Sequence, residues 1–256
     1  MMYLDDSQEL PEKSDKCAVI IPTHKSIYSE SEALCIRRAL SILCNWDIFY
    51  VTNPINSAQP LHDDAKSVRS SLFSDKFFQS VQNYSDWLLT DSLYKRFGLF
   101  NKILIVQSDA WIVEDQINYW VNKDYDYIGA PWHGMVSVKP NFRSTPRLNG
   151  YEFKMFVGNG GLSMRDTHGI QKALLRNTAL LSEFNGNEDG VFSFMGLMDP
   201  LFKIAPYHDA CLFSLELLAA ETILKTGKIP MGFHALEKND AALWRLAINP
   251  DFGASD

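Results

Sequence analysis

No apolar run in the chain is long enough to cross a bilayer. The longest stretch, Ala210 to Leu224, is interrupted by Glu216 and Glu221 and falls short of the roughly 20 residues a spanning helix needs, so the pattern predicts a buried helix there. An excess of basic charge is missing too: 24 Lys and Arg stand against 31 Asp and Glu, a net charge of −7. With no Lys/Arg cluster to form a basic stripe, this excludes a general nucleic-acid binder. Cysteine is scarce, and Cys17, Cys35, Cys44 and Cys211 show no metal-type spacing. Their apolar surroundings predict reduced core thiols, as suits a cytoplasmic protein. Residues 1–16 are polar, without periodicity and without the apolar centre of a signal peptide, which predicts a loose N-terminal tail before one domain over 17–256. Internal repeats and low-complexity segments are also lacking.

What is present suffices for a large core, with 46% hydrophobic and 12% aromatic residues in 256. Cys17 to Ile21 is a continuous apolar run ending at Pro22-Thr23-His24, read as a buried strand opening into a loop. Ser29 and Glu32 form a capping-box pattern ahead of apolar positions at helical spacing, and Ile48 to Thr52 reads as the next strand. This β-α-β unit predicts parallel strands with a right-handed crossover. Residues 53–70 read as an exposed connection. A helical region follows over 75–97, broken near Ser85 and stopped by Gly98. Further along, strands are expected to Gln107 and over 125–130, a short helix over 115–121 and a long loop over 136–150. A helix over 171–181, a loop at 187–190 and a long helix over 211–225 stopped by Gly227 complete the pattern.

The residues that carry chemistry stand at the ends of these elements. Ile103 to Val106 leads into Gln107-Ser108-Asp109, and ligand sites in open α/β sheets lie beyond the carboxyl ends of such strands. A carboxylate there can hold Mg²⁺ or Mn²⁺, and the cation a diphosphate; the alternative is that Asp109 caps the helix after Glu114-Asp115. Gly158-Asn159-Gly160-Gly161 implies positive φ or close approach of the backbone to another group. Glu188-Asp189 and His234 are further candidates, although a turn or helix cap at Asn187 to Gly190, and a hydrogen-bonded core or surface histidine, would also explain them.

Taken in order, these motifs resemble the nucleotide-sugar-dependent glycosyltransferases of the GT-A fold, most closely a poorly characterised family of that type met in microbial polysaccharide gene sets. Gln107-Ser108-Asp109 is similar to the metal-binding Asp-x-Asp signature, with Gln107 in place of its first aspartate. Tyr127 to Trp132 is similar to the next strand and acceptor-side loop, and Val157 to Arg165 to the Gly-rich strand of inverting galactosyl- and N-acetylglucosaminyl-transferases. Asn187 to Phe192 is similar to their Glu-Asp catalytic motif, and Gly232 to His234 to the late histidine of the metal site. The resemblance implies a mixed, mostly parallel α/β sheet flanked by helices in a single GT-A-like domain.

It further implies transfer of a sugar from a nucleoside-diphosphate donor, UDP-linked by frequency, to a glycan or lipid-linked glycan acceptor. Asp109 and His234 would hold Mn²⁺ or Mg²⁺. Asp189 would be the general base of an inverting reaction, with Glu188 orienting the acceptor or the loop. Thr23, Gln107, Ser108, Gly160 and Gly161 would line the nucleotide side, where the glycines let the backbone lie against a sugar. Trp132 and Asn159 would meet substrate, and Arg143 and Arg147 could close over the diphosphate. Lacking a spanning segment, the protein would meet a lipid-linked acceptor peripherally, at the cytoplasmic face. Two other readings remain: a non-catalytic glycan- or nucleotide-binding protein on this fold, which Gln107 keeps open, and a sugar-phosphate nucleotidyltransferase. The absence of glycine in residues 22–26 speaks against the second.

Overall fold

The computed structural model describes residues 3–4, 14–23, 25, 27–55, 68–143, 146–184 and 186–249. The tail expected over 1–16 lies mostly outside these, but two parts of it are strand: β1 (Tyr3–Leu4) and the start of β2 (Ser14–Pro22). His24 and residues 56–67 also lie outside the described residues, and with them most of the connection expected over 53–70. Helix α1 (Glu30–Ile42) starts on the foreseen capping box. The Ser29 side chain accepts from the Glu32 N–H and the Glu32 side chain from the Ser29 N–H, which satisfies donors that a first helical turn leaves open. β3 (Asp47–Thr52) pairs in parallel with β2, and β4 (Arg69–Leu72) with β3. The sequence reading missed β4 because Arg-Ser-Ser-Leu lacks apolar alternation. Its arginine lies over the Phe49 ring and pairs with Asp47.

The helix expected over 75–97 is a 3₁₀ turn at Asp75–Phe78 followed by α2 (Val81–Leu88) and α3 (Ser92–Arg96). Its break falls at residues 89–91 rather than near Ser85, which sits buried inside α2. β5 (Phe100–Val106), β6 (Ala110–Ile112) and α4 (Ile117–Val121) follow. β7 (Tyr127–Val138) runs further than expected, because residues 136–138 pair with the start of β8 (Phe153–Asp166). The helix read over 171–181 divides at Asn177 into α5 (Thr167–Arg176) and α6 (Thr178–Glu183).

Two corrections bear on function. Residues 188–190 are not a loop: α7 (Glu188–Met198) begins there, with Glu188 and Asp189 in its first turn, where acidic side chains favour the helix dipole. The long buried helix over 211–225 is likewise absent. The chain forms α8 (Tyr207–Phe213), β9 (Ser214–Leu215) and α9 (Ala219–Thr226), with Leu218 in the left-handed region at φ 52°. Gly227, at φ 66°, ends α9 as foreseen. β10 (Gly232–His234), α10 (Leu236–Asn239) and α11 (Ala241–Ala247) complete the chain.

The main sheet has the order β1-β4-β3-β2-β5-β8-β7. Its first five members are parallel, and β8 runs antiparallel to both β5 and β7. Apolar cores cover both faces, one built on Phe49, Trp87 and Phe192, the other on Val19, Leu40 and Trp120. A small sheet, β6-β10-β9, packs with α9, α10 and α11. Cys17, Cys35 and Cys211 are buried free thiols; Cys44 is exposed, contrary to its expected place in the core. Among the described residues no helix is long and apolar enough to cross a membrane.

Candidate active site

The site forms where the two sheets meet, and strand register explains its membership. β5 pairs with β8 up to Val106 opposite Leu162, and the next backbone bond runs from the Gln107 N–H to the Gly161 carbonyl at 2.9 Å. β10 pairs antiparallel with β6, setting His234 opposite Ala110, the neighbour of Asp109. It also pairs in parallel with β9 up to Phe233 opposite Leu215, so the next step along both strands brings His234 beside Glu216. His234 Nε2 consequently stands 3.2 Å from Asp109 Oδ1 and 3.2 Å from Gln107 Oε1, while Nδ1 lies 3.7 Å from Glu216 Oε1. That last separation is too long for a hydrogen bond, and Nδ1 has no hydrogen-bond partner among the described residues.

Burial opposes charge on the imidazole, but the Asp109 and Glu216 carboxylates outweigh it and carry His234 up to about 9. Burial likewise works against ionisation of Asp109, and its hydrogen bond with His234 reverses the balance, holding the carboxyl below its ordinary value. This favours the protonated form, in which Nε2 donates toward the Asp109 and Gln107 oxygens. Adjacent donors around a small divalent cation with bonds of about 2.1 Å stand roughly 3 Å apart. The separations from His234 Nε2 to Asp109 Oδ1 and Gln107 Oε1 fit that spacing. Among the described residues no three His, Cys, Asp or Glu side chains gather to hold a metal; the third donor here is the Gln107 amide oxygen. Asp109 does not cap a helix, since the Ile117 N–H takes Asp115 instead.

A cavity of about 510 Å³ opens beside this trio. It is lined by Pro22 at the end of β2, Lys25 beyond it, Glu32 of α1, residues 78–81, Tyr84 of α2, and Gln107, Ser108 and Asp109. Ser108 Oγ donates to Glu32 Oε1 at 2.9 Å, and Lys25 pairs with the same oxygen. Burial would raise Glu32, but the bond from Lys25 and those from Ser29 and Ser108 bring it below its ordinary value. Thr23 is not on the lining: it is buried, its N–H bonds to the Val51 carbonyl, and its own carbonyl accepts from Thr52.

A second cavity, of about 690 Å³, is lined by Trp132, the 136–142 arm, Phe184, Asn187 and Asp189. Burial, and then the neighbouring Glu188 charge, push the Asp189 carboxyl up to about 7. Glu188 itself is buried and fully engaged. Its Oε1 accepts from Arg165 at 3.2 Å and its Oε2 from Ser85 at 2.7 Å, so it neutralises a guanidinium with no solvent exposure instead of facing substrate. Trp132 is buried in the core and borders this cavity.

The glycines are required by close approach, and none of Gly158, Gly160 and Gly161 has positive φ. A Cβ on Gly158 would meet the Trp132 ring at 2.7 Å. One on Gly160 would come within 2.9 Å of Arg165 and 3.0 Å of Glu188, and one on Gly161 would overlap the His234 imidazole. The groups that a Cβ at these positions would meet are the protein's own side chains. Asn159 between them bonds to Glu216, and its Oδ1 accepts from the Gly161 N–H at 3.3 Å.

Of the residues singled out in the sequence, Gln107, Asp109 and His234 converge, with Asn159 and Gly161 packed behind them. Asp189 and Trp132 share the second cavity, and Gly160 backs the Arg165–Glu188 pair. Arg143 and Arg147 are exposed on the 139–152 segment. Glu216, Arg165, Ser85 and Tyr84 were missed. Glu216 did leave a signal, an acid interrupting an apolar run, as did Arg165, a cation closing a buried strand.

Residues 67–234 match the family described as "Protein of unknown function (DUF5672)", and the chain belongs to it. No curated protein matches the chain. Among solved structures it is similar to the galactosyltransferase LgtC in complex with donor and acceptor sugar analogues, at 10% identity and TM-score 0.50 over 85% of this chain and 86% of that one. An active-site variant of LgtC aligns at 11% identity and TM-score 0.50 over 85% and 86%. The bifunctional glycosyltransferase WbbM aligns at 11% identity and TM-score 0.51 over 93% of this chain and 47% of that one, so the chain spans about half the length of WbbM. At such identities the likeness carries the fold: a mixed α/β sheet of the GT-A glycosyltransferase type.

Proposed function

We propose that this member of the DUF5672 family is a glycosyltransferase, moving a sugar from a nucleoside-diphosphate donor, UDP-linked by preference, to a glycan or lipid-linked glycan hydroxyl. The observation that carries this reading is the convergence of Gln107, Asp109 and His234, the first two of which line one cavity, with Asp189 lining a second. Breaking the anomeric bond builds positive charge on the sugar and negative charge on the departing diphosphate. Bound by Asp109, His234 and the Gln107 amide, Mn²⁺ or Mg²⁺ would supply Lewis-acid neutralisation of the diphosphate.

The remaining work falls to the chain. Pro22, Lys25 and the 78–84 wall enclose the nucleoside end of the first cavity, and Lys25 offers a cation beside it. Asp189, buried enough to titrate near neutral pH, takes the acceptor proton as an inverting general base. The second cavity, bordered by Trp132, Phe142 and Phe184 with Asn141 and Asn187 at its polar edges, receives the acceptor; aromatic faces and amides together suit a sugar ring. Glu188 acts structurally in this scheme.

The test is thermal stability against a panel of nucleoside diphosphates and their sugars, each with and without Mn²⁺. A ligand at a hundred times its dissociation constant adds about 2.7 kcal/mol. A metal-dependent shift with one nucleotide that Asp109→Ala abolishes is expected. Shifts with free glycans and none with any nucleotide would point to a non-catalytic binder.

A further inference from the structure

Helix α7 carries Asp189 in its first turn, yet its own N-cap residue, Asn187, makes no side-chain cap bond. The Glu188 N–H is taken instead by Ser85 Oγ at 2.6 Å, and the same hydroxyl donates to Glu188 Oε2 at 2.7 Å. Ser85 lies 103 residues earlier in the chain, on α2, and is buried. The helix that supplies it also supplies Ser80, Val81 and Tyr84 to the wall of the nucleotide-side cavity. One short helix with its cap thus contributes to that wall and bonds to the turn that bears the proposed base.

We propose that Ser85 is a positioning residue: acting through Glu188, it holds the turn carrying Asp189 in fixed relation to the nucleotide-side cavity. The inference rests on the reading of Asp189 as general base. A buried hydroxyl is satisfied by one partner; Ser85 makes two bonds, both to the residue adjoining Asp189. The first N–H groups of a helix have no partner within it; the Gly190 N–H is taken by Asp189 Oδ1 at 2.8 Å, and without Ser85 the Glu188 N–H loses the partner it has here. Glu188 of α7, Arg165 of β8, Tyr127 of β7 and Glu216 after β9 are the charged or titratable groups that act on Asp189. Ser85 and Arg165 together fix where the nearest of them, Glu188, sits.

The test uses the complete chain and two readouts that need no substrate: amide hydrogen exchange, and the ¹³C NMR titration midpoint of the Asp189 carboxyl. Ser85→Ala is expected to speed exchange at residues 188–191 roughly tenfold or more while α11 keeps its protection, and to displace the midpoint. Uniformly faster exchange with an unmoved midpoint would reduce Ser85 to an ordinary stability contact and overturn the proposal. Should Ser85→Ala fail to fold, Ser85→Cys keeps a side chain of similar size and leaves the Glu188–Arg165 pair intact, while its thiol is a weaker hydrogen-bonding group. Exchange at residues 188–191 should again rise, and unchanged exchange there with an unmoved midpoint overturns the proposal equally. Donor hydrolysis by Asp189→Asn separates the two ideas: full turnover there sinks the base reading and leaves the Ser85 grip standing. Lost turnover beside an unaltered Ser85→Ala sinks the grip alone.

Discussion

Gly161 and His234 are packed so closely that any side chain on the glycine would occupy the space of the imidazole. The missing Cβ lets β8 come up against the Nε2 end of the ring, the same nitrogen that Asp109 and Gln107 approach at 3.2 Å. A glycine in one strand therefore fixes the aim of a histidine in another.

Gly161→Ala should push the ring out of line with Asp109. Overpacking of this kind costs about 1–3 kcal/mol, so the variant should still fold by circular dichroism. Its Mn²⁺-dependent thermal shift with UDP should vanish. A retained shift would show that His234 is not needed where the structure puts it.

Gln107 supplies an amide where a second carboxylate would bind a hard cation more strongly. Gln107→Asp should tighten Mn²⁺ binding on the order of tenfold or more, measured by titration calorimetry of the nucleotide-free protein. Unchanged affinity would place the cation elsewhere.

Asp189→Asn should lower turnover on the order of 10²- to 10⁴-fold while leaving nucleotide binding intact. With the carboxyl raised to about 7, the wild-type rate should climb as pH rises through that value. The sign for stability is opposite. A folded value above the unfolded one means the native state holds this proton more tightly, so ionised Asp189 costs stability above about 7 and the cost disappears toward pH 4. Asp189→Asn should accordingly melt higher than wild type at pH 8, with the gap closing on acidification. A gap that widens with acid would contradict the burial.

Glu188→Ala leaves Arg165, which has no solvent exposure, as an uncompensated buried charge. Breaking such a pair costs about 3–5 kcal/mol, which urea denaturation would read as a large drop in midpoint. A loss below about 1 kcal/mol would mean that Tyr94 and Ser163, the other partners of the guanidinium, suffice without the acid.

Much of this was legible in residue order. The apolar runs at 17–21, 48–52 and 103–106 gave their strands, because a buried parallel strand needs nothing but apolar side chains. The Ser29–Glu32 box marked its helix because capping is local. The same locality misled at 211–225. Helical spacing continues through Ser214 to Leu218, but pairing of Ser214–Leu215 with β10 overrides it and turns Glu216 toward His234. At 187–190 turn chemistry suggested a loop, while a partner 103 residues away caps a helix.

By itself the sequence determined which residue types were on offer: an amide and a carboxylate after β5, glycines in β8, paired acids in the first turn of α7 and a late histidine. Only the tertiary structure decided their parts. Register of β10 between β6 and β9 set His234 against Asp109 and Glu216, and burial of Arg165 drew Glu188 inward, leaving Asp189 to face the second cavity. Register and burial are relations between distant segments, and a residue's type alone does not contain them.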